Sequence, residues 1–514
     1  MASRVHILRV APALGALLLA GCMGTGALER APAAPDQPWR PATGPGGEIL
    51  AGPQAREGEP GAEQGYVLPE NAAAGALPAL PAIDPAREYG LADLIDLAEA
   101  QSPDTRIAWN QARNAALAAG LARSVFLPSL AATALGAWQT SHGNVSALGL
   151  GGGDDGSADG RLGAVSLQWL LFDFGERAAD ARAADQDVVI ADIRFTAAHQ
   201  ELIHSVALAY YAYAAARARV ATTEQSMADA RAVEAAADAR YAHGVGTVIE
   251  VAQARQATAQ ARLAQVRADG AERDGYVRLM LAMGVSPLAK IRIAPMPDRP
   301  LSPDLEAPVE DLLSAALARR PDVLAAYAAE KAATAREAAA EAERWPKLFA
   351  SGSAATASGD ASLTAIPAIG DQSPTLNLSG GRHGTSIIAG VTAPLFDGGR
   401  RRTLHDQARI RADTARLTLD RVKQQALDQI LMSRNALHTA LETYSAAQAL
   451  LTAAQTTYDA SLAAYRNEVG SSTDVVAAER QLLEARDLTT DARSAALSAA
   501  ATLALAAGTL GSAP

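Results

Sequence analysis

The chain has 514 residues and a formal net charge of −11; 49% of its residues are hydrophobic, but only 4% are aromatic. No basic stripe recurs along it, which excludes a reader of nucleic-acid backbones, because phosphate contacts need clustered Lys and Arg. So few rings fill a compact globular core poorly, whereas abundant Ala and Gly suit closely packed helices.

At the N-terminus, Arg4 and Arg9 precede the apolar run Val10–Leu19 and then LAGC at Leu19–Cys22. A charged start, a short apolar segment and small residues before a cleavage point make a secretory signal over residues 1–21. The run is too short to favour a spanning helix. LAGC resembles a bacterial lipoprotein box, which implies that Cys22 becomes the acylated, palmitate-bearing first residue. Met23 in place of Asp implies sorting to the outer membrane. The alternative is an ordinary signal peptide with an incidental cysteine. Cys22 is the only cysteine, so no internal disulfide forms. Residues 22–86 are rich in Pro, Gly and Ala without apolar periodicity and read as a linker or extended arm, pinned locally by Trp39 and Tyr66.

Beyond the linker the chain is written twice. LADLIDLAEAQSPDTRIAWNQAR (91–113) matches VEDLLSAALARRPDVLAAYAAEK (309–331), with Pro103 against Pro321 at an offset of 218 that Pro128 and Pro346 repeat. Phe172–Asp173 against Phe396–Asp397 gives 224, as do Tyr241 and Tyr465, Gly246 and Gly470, and Gly284 and Gly508. One six-residue length difference reconciles every anchor, so two units, 87–285 and 308–510, are expected on either side of a Pro-rich linker, 286–307. Each should begin with one helix (91–125 and 309–343) that its proline ends, followed by a strand pair (129–172 and 347–396) split by a polar loop. A very long helix (176–240 and 400–464), a tight break (241–247 and 465–472) and a return helix complete the unit.

The strands are two-faced. Val165, Leu167, Trp169 and Leu171 share one face while Ser166 and Gln168 share the other. In the second unit Ile387, Ala389, Val391, Ala393 and Leu395 oppose Ser386, Gly390 and Thr392, with Ile387–Leu395 expected as a strand descending through a membrane. Leu130 and Leu348 are equivalent in the partner strands. Such strands with long polar loops (141–160 and 359–383) fit a membrane β-barrel, or else surface hairpins on a helical protein. The long helices favour the former. Leu437, Tyr444, Leu451, Tyr458 and Tyr465 are spaced by seven, the seam of a coiled coil. A helix of 65 residues would span roughly 100 Å, far beyond the needs of a globular domain.

The duplicated unit, the prolines entering each hairpin, the FDxG junctions and the breaks ARYAHGVGTVIEVAQAR (239–255) and AAYRNEVGSSTDVVAAER (463–480) together resemble the TolC family of outer-membrane efflux proteins. The resemblance covers almost everything from Tyr89 to Gly508. The breaks are similar to that family's tip motif, Tyr-x-x-Gly-x-Gly-[Ser/Thr]-x-x-Asp-Val-Leu. The resemblance implies a mainly α fold with a small β part, in which a homotrimer forms a 12-stranded outer-membrane β-barrel continuous with a periplasmic α-helical tunnel. Open sheet edges are not tolerated in lipid, so a spanning monomer is excluded on physical grounds as well. The implied function is passive conduction of substrates handed over by an inner-membrane pump and a periplasmic adaptor, with no enzyme activity, cofactor or metal.

Three groups of residues are singled out on this reading. At the tips, Tyr241, Gly244, Val245, Gly246 and Thr247 in unit one and Tyr465, Val469, Gly470, Ser471 and Thr473 in unit two are the candidate adaptor contacts. Their glycines permit the turn, and Thr247, Ser471 and Thr473 suit helix caps. Glu250 and Asp474 lie in first turns, where a helix dipole favours an anion. They either stabilise helix starts only or form an entrance gate, as the resemblance implies for Asp474. The second acidic position of that gate is Ala477 here and Gln253 in unit one, and Glu468 stands where unit one has Gly244. The barrel–tunnel junction comprises Phe172, Asp173, Gly175, Phe396, Asp397 and Gly399.

Other readings of these motifs fare worse. Asp173–Phe174–Gly175 spells a kinase-like DFG, but the second copy reads Asp–Gly–Gly and no kinase context accompanies it. GLGGGDDG (149–156) lies between strands rather than before a helix, so it makes no phosphate site. His199 and His204 are five apart and share no helix face. A lipid-anchored periplasmic adaptor or coiled-coil scaffold without its own channel remains the alternative of a different class. Drug efflux, metal efflux and protein secretion all use the implied architecture, so the sequence names no cargo.

Overall fold

The computed structural model describes residues 45–49, 71–76, 83–141, 156–297, 301, 309–358, 361–364, 375–378, 383–467 and 469–510. Two compact units divide the chain, Met1–Ala79 and Leu80–Pro514. The signal segment, Cys22 and Glu468 lie outside the described residues.

In chain order the elements are β1 (Glu88–Tyr89), α1 (Leu91–Gln101), α2 (Pro103–Ser124), β2 (Ser129–Ser141), β3 (Gly156–Phe172), α3 (Glu176–Ala242), α4 (Val248–Ala282) and β4 (Arg292–Ile293). There follow α5 (Val309–Arg319), α6 (Pro321–Ala342), β5 (Lys347–Ser358), β6 (Ala361–Thr364), β7 (Thr375–Leu378), β8 (His383–Thr392), α7 (Arg400–Arg466) and α8 (Ser472–Ala506). The helices come in pairs of equal length: 11, 22, 67 and 35 residues in both halves.

Each first helix, read from the sequence as continuous, is broken in two. Ser102 before Pro103 and Arg320 before Pro321 have ψ of 124° and 126°, because a following proline clashes with helical backbone at the preceding residue. The breaks are held differently. Ser102 caps α2 by accepting from Thr105 N, whereas the buried Arg320 donates to Ala506 O at 2.8 Å, Gln429 Oε1 at 2.6 Å and the carboxylate of Asp322. Arg320 thereby ties α6 to the last turn of α8 and to α7.

Strands β2, β3, β5 and β8 form one antiparallel sheet in that order. Its register assembles the rows Leu130–Leu167–Gly352–Ile387 on one face and Ala131–Ser166–Ser353–Ser386 on the other. The alternation expected from the sequence is thus shared by all four strands. Leu130, Leu167, Trp169, Ile387 and Val391 stand exposed on the apolar face, Ile387 by 91%. Among the described residues the outer strands β2 and β8 each pair on one side only. Strand β8 ends at Thr392, opposite Lys347, rather than at Leu395. Pro394 has no N–H to donate, and the partner strand begins at Lys347. A small hairpin, β6–β7, occupies part of a segment whose polarity suggested only loop.

Helix α3 packs on α2, α6, α4 and α8, and α7 packs on α6 and α8; among the described residues no substantial contact joins α7 to α2 or α4. The helices therefore form an open layer whose border helices expose Leu117 and Leu121 on α2 and Ile410 and Leu417 on α7. Within α7 the buried positions Ala426, Ile430, Leu437, Ala447, Ala454, Tyr458 and Tyr465 all fall on one heptad seam, and in α8 so do Val475, Ala478, Leu482, Ala485, Ala492 and Ala496. Alanines in these seams let the backbones approach closely, which explains how a chain poor in aromatic residues packs. A separate core, with Tyr89, Leu94, Val206, Tyr210, Leu279, Met280 and Ile293, binds the parallel pair β1–β4 around the middle of α3.

Replacing Arg320 with Ala should destabilise the protein by about 1–3 kcal/mol, because it leaves the buried Ala506 carbonyl without its donor and breaks the link to Gln429. Replacing Ser102 with Ala should cost only about 1 kcal/mol, the usual worth of an N-cap. Denaturant unfolding midpoints of the two variants would rank them.

Candidate functional site: strand-to-helix junction and helical tip

Both strand-to-helix junctions use one device. Asp173 Oδ1 accepts from Gly175 N at 3.2 Å, and its Oδ2 accepts from Arg177 N at 3.0 Å and Arg177 Nε at 2.7 Å. Asp397 repeats this with Gly399 N at 3.0 Å, Arg401 N at 3.1 Å and Arg401 Nη1 at 3.3 Å. The two residues after each Asp have positive φ: Phe174 +54° and Gly175 +94°, Gly398 +66° and Gly399 +88°. This mirror-image turn, closed by Glu176 N to Asp173 O and Arg400 N to Asp397 O, places the helix start at the third residue after each Asp. Burial alone would raise the Asp173 carboxyl, but the Arg177 backbone N–H and guanidinium, with the Gly175 N–H, hold it below the usual carboxylate value. Asp397 is likewise held low, first by the Arg401 N–H.

Only one copy places a side chain in the strained first position. The Phe174 ring stacks on Trp345 at 5.6 Å and meets Phe172 edge-on at 4.9 Å, so the strain is offset by an aromatic cluster joining the two halves. Lys347 and Glu176 add an ion pair between the halves at 2.7 Å. Phe396 is 92% exposed and takes no part in that cluster.

At the opposite end, the α3–α4 and α7–α8 turns are also built alike. Thr247 Oγ1 accepts from Glu250 N and Ser471 Oγ from Asp474 N, each at 3.2 Å, and Ser471 also donates to Asp474 Oδ2 at 2.8 Å. Thr473 is not a cap; it lies inside α8 and faces a cleft of about 370 Å³ between α4 and α8 that Gln253, Gln256, Gln260 and Glu479 also line. A Cβ on Gly246 would come within 2.9 Å of Tyr241 N, and one on Gly470 within 3.0 Å of Ala464 Cβ. Gly244 supplies the left-handed residue of the first turn, with φ +76°.

Repeat-equivalent residues diverge here. Tyr241 is half exposed, but Tyr465 is 2% exposed and packs with Val233, Ala237, Val251, Val475 and Leu482 beneath the Arg240 guanidinium. Tyr465 therefore offers no surface to a partner, contrary to the expectation from the motif. Val245, Val248, Ile249 and Val469 do, forming an exposed apolar tip. Glu250 and Asp474 both sit in first turns; Asp474 is exposed and engaged with its own cap.

The seam between the halves, α3 against α8, carries a polar ladder that sequence reading missed. His204 meets Thr502 at 3.1 Å, Ser494 donates to Tyr211 O at 3.3 Å, Arg219 pairs with Asp491 and faces Asp487, and Ser226 donates to Glu479 Oε1 at 3.3 Å. The rungs recur about every two helical turns. Burial pushes Glu479 up to about 7, Asp487 upward and His204 downward, so the charged forms of these three groups are disfavoured.

The protein-family model described as "Outer membrane efflux protein" matches residues 94–285 and 312–509. Protein CyaE of Bordetella pertussis is 30% identical over 378 residues, 73% of this chain and 74% of that protein. Outer membrane protein OprJ of Pseudomonas aeruginosa is 27% identical over 340 residues, 66% and 67% of the two chains. The crystal structure of the Campylobacter jejuni CmeC outer membrane channel superposes with a TM-score of 0.69 at 19% identity, covering 81% of this chain and 85% of that one.

Replacing Gly399 with Val should cost on the order of 1–3 kcal/mol, since φ +88° is strained for a branched residue. The loss should fall on the yield of folded, membrane-assembled protein, with substrate preference unchanged among the molecules that do assemble. An altered preference with normal assembly would contradict a purely architectural junction.

Proposed function

The chain belongs to the outer membrane efflux protein family, and from that membership we propose how its parts divide the work of a channel. It is an outer-membrane channel protein in which a β-barrel continues into a periplasmic helical tunnel. The family consists of transport proteins rather than enzymes, and membership favours the channel over a coiled-coil adaptor or scaffold. The further reading is that three copies close edge to edge into a ring of twelve strands, enough for a water-filled lumen where eight would be filled by side chains. Residues 87–285 and 308–510 serve as its two repeated units, and Cys22 carries the lipid anchor. A periplasmic adaptor and an inner-membrane pump deliver the substrate at the tips.

The observation that carries this reading is one four-stranded sheet with an apolar face bearing Leu130, Leu167 and Ile387, an opposite face that mixes Ser166, Ser353 and Ser386 with Leu170, Phe349 and Ile388, and, among the described residues, two unpaired edges. Its strands of 10–17 residues suit a tilted membrane crossing. Among the described residues no helix is long and apolar enough for that task. The adaptor is assigned to the apolar tips, where Val245 and Val469 are the leading contacts and Tyr241, Gly244, Gly246, Thr247, Gly470 and Ser471 shape the surface. Phe172, Phe174 and Trp345 mark the membrane interface.

In planar bilayers the purified protein should give stable single-channel conductance, and Cys22→Ala should keep it, because the barrel rather than the lipid holds the membrane. A Cys22→Ala protein that is soluble and non-conducting would overturn the reading. Val245→Asp with Val469→Asp should abolish export in cells while conductance in bilayers persists; loss of both together would assign these residues to assembly instead.

A further inference from the structure

We propose that Glu479 is a proton-operated latch: neutral, it holds the α7–α8 hairpin against α3 beside the tip, and ionised, it releases that contact. The heptad seam of α8 uses Val475, Ala478, Leu482 and Ala485 to pack on α7, and Glu479 lies off that seam, turned to α3. It is buried, forms the last rung of the α3–α8 ladder before the tip, and borders the open cleft between α4 and α8. A buried carboxyl with water-accessible space at its back can gain or lose a proton without dismantling the helices.

Its neighbours favour the neutral state when the seam is shut. From α3 come Ser226, which donates to it, and Asp229, whose charge disfavours a second anion. From α7 comes Tyr458, itself pushed up to about 12 by burial and by the charges of Asp229 and Glu479, with Arg466 and Arg486 opposing. From α4, Gln253, Gln256 and Gln260 line the cleft and bring no charge. On α8 itself, Arg480 lines the cleft but makes no ion pair with Glu479 among the described contacts. Ionisation therefore leaves a buried carboxylate beside Asp229 without a matched cation, an arrangement relieved by parting α8 from α3 and admitting water.

Direction follows from linkage. Burial first, then Asp229, raise Glu479 from 4.5 to about 7 in the shut state. The shut state thus binds the proton more tightly, and its advantage is full in acid and fades as pH rises. If the parted state restores the ordinary value, the shut-to-parted equilibrium shifts about tenfold towards parting between pH 6 and pH 8. This deepens the channel reading, because the seam that yields is the one joining the two hairpins at the substrate entrance.

The test is amide hydrogen exchange on the intact protein, comparing peptides over 475–487 and 222–232 at pH 6 and pH 8 after correction for intrinsic exchange. The wild type should lose about tenfold in protection there over that range, with none lost around β1–β4, and Glu479→Gln should hold the pH 6 protection at both values. Single-channel conductance should rise across the same window in the wild type only. Protection that is flat in the wild type, or that falls equally in Glu479→Gln, overturns the latch. Low protection in Glu479→Gln at both pH values overturns it too, showing a merely structural carboxyl. The exchange arm does not depend on conduction, so failure of the channel reading alone would appear only in the bilayer.

Discussion

The constraint on which everything else depends is the pair of unpaired edges on the β2–β3–β5–β8 sheet. In hydrocarbon no water satisfies a bare backbone N–H or C=O, so a sheet that exposes Leu130, Leu167 and Ile387 to lipid cannot leave β2 and β8 open. On the proposed reading, closure comes from further copies of the chain. The same need recurs in the helical part, where the layer α2, α3, α6, α7 is as open as the sheet above it and its border helices expose Leu117, Leu121, Ile410 and Leu417. Sheet and helices are thus two parts of one wall, incomplete in the same sense.

The junctions make the two parts continuous. A loose loop between strand and helix would uncouple the curvature of the barrel from that of the tunnel. Asp173 and Asp397 instead lock each turn by accepting from the glycine two residues on and the arginine four residues on, so that helix begins at the third residue after each Asp. That the first copy accepts a left-handed Phe174 while the second uses Gly398 shows where the duplicated halves have specialised. The aromatic stack of Phe174 on Trp345 fastens one half to the other beside the sheet. At the far end the apolar cluster around Val233, Tyr465 and Val475 is accompanied by a ladder of hydrogen bonds and charges along α3 and α8, including Ser226 with Glu479.

Much of this was legible in the sequence because it is local and written twice. The constant offsets located both units, period-two alternation marked the strand faces, and the FDxG motif marked the turns. The break at Pro103 was equally local, yet reading helical periodicity through Ser102 hid it, since the apolar pattern resumes in phase after the proline. The early end of β8 depended on where its partner starts, information that Ile387–Leu395 alone does not hold. The burial of Tyr465 beneath Arg240, and the ladder from His204–Thr502 to Ser226–Glu479, pair residues hundreds of positions apart. The regular spacing of the α3 rungs does not by itself say which residues of the distant helix they meet.

The central claim is that copies of this chain close through β2 of one and β8 of the next. Paired cysteines placed on those two edges, one on β2 and one on β8 of the same chain, test it by oxidation in the membrane. Closure predicts covalent dimers and trimers and nothing larger, with the β2 and β8 cysteines each required. Monomers alone, or a ladder that continues past three, would contradict it.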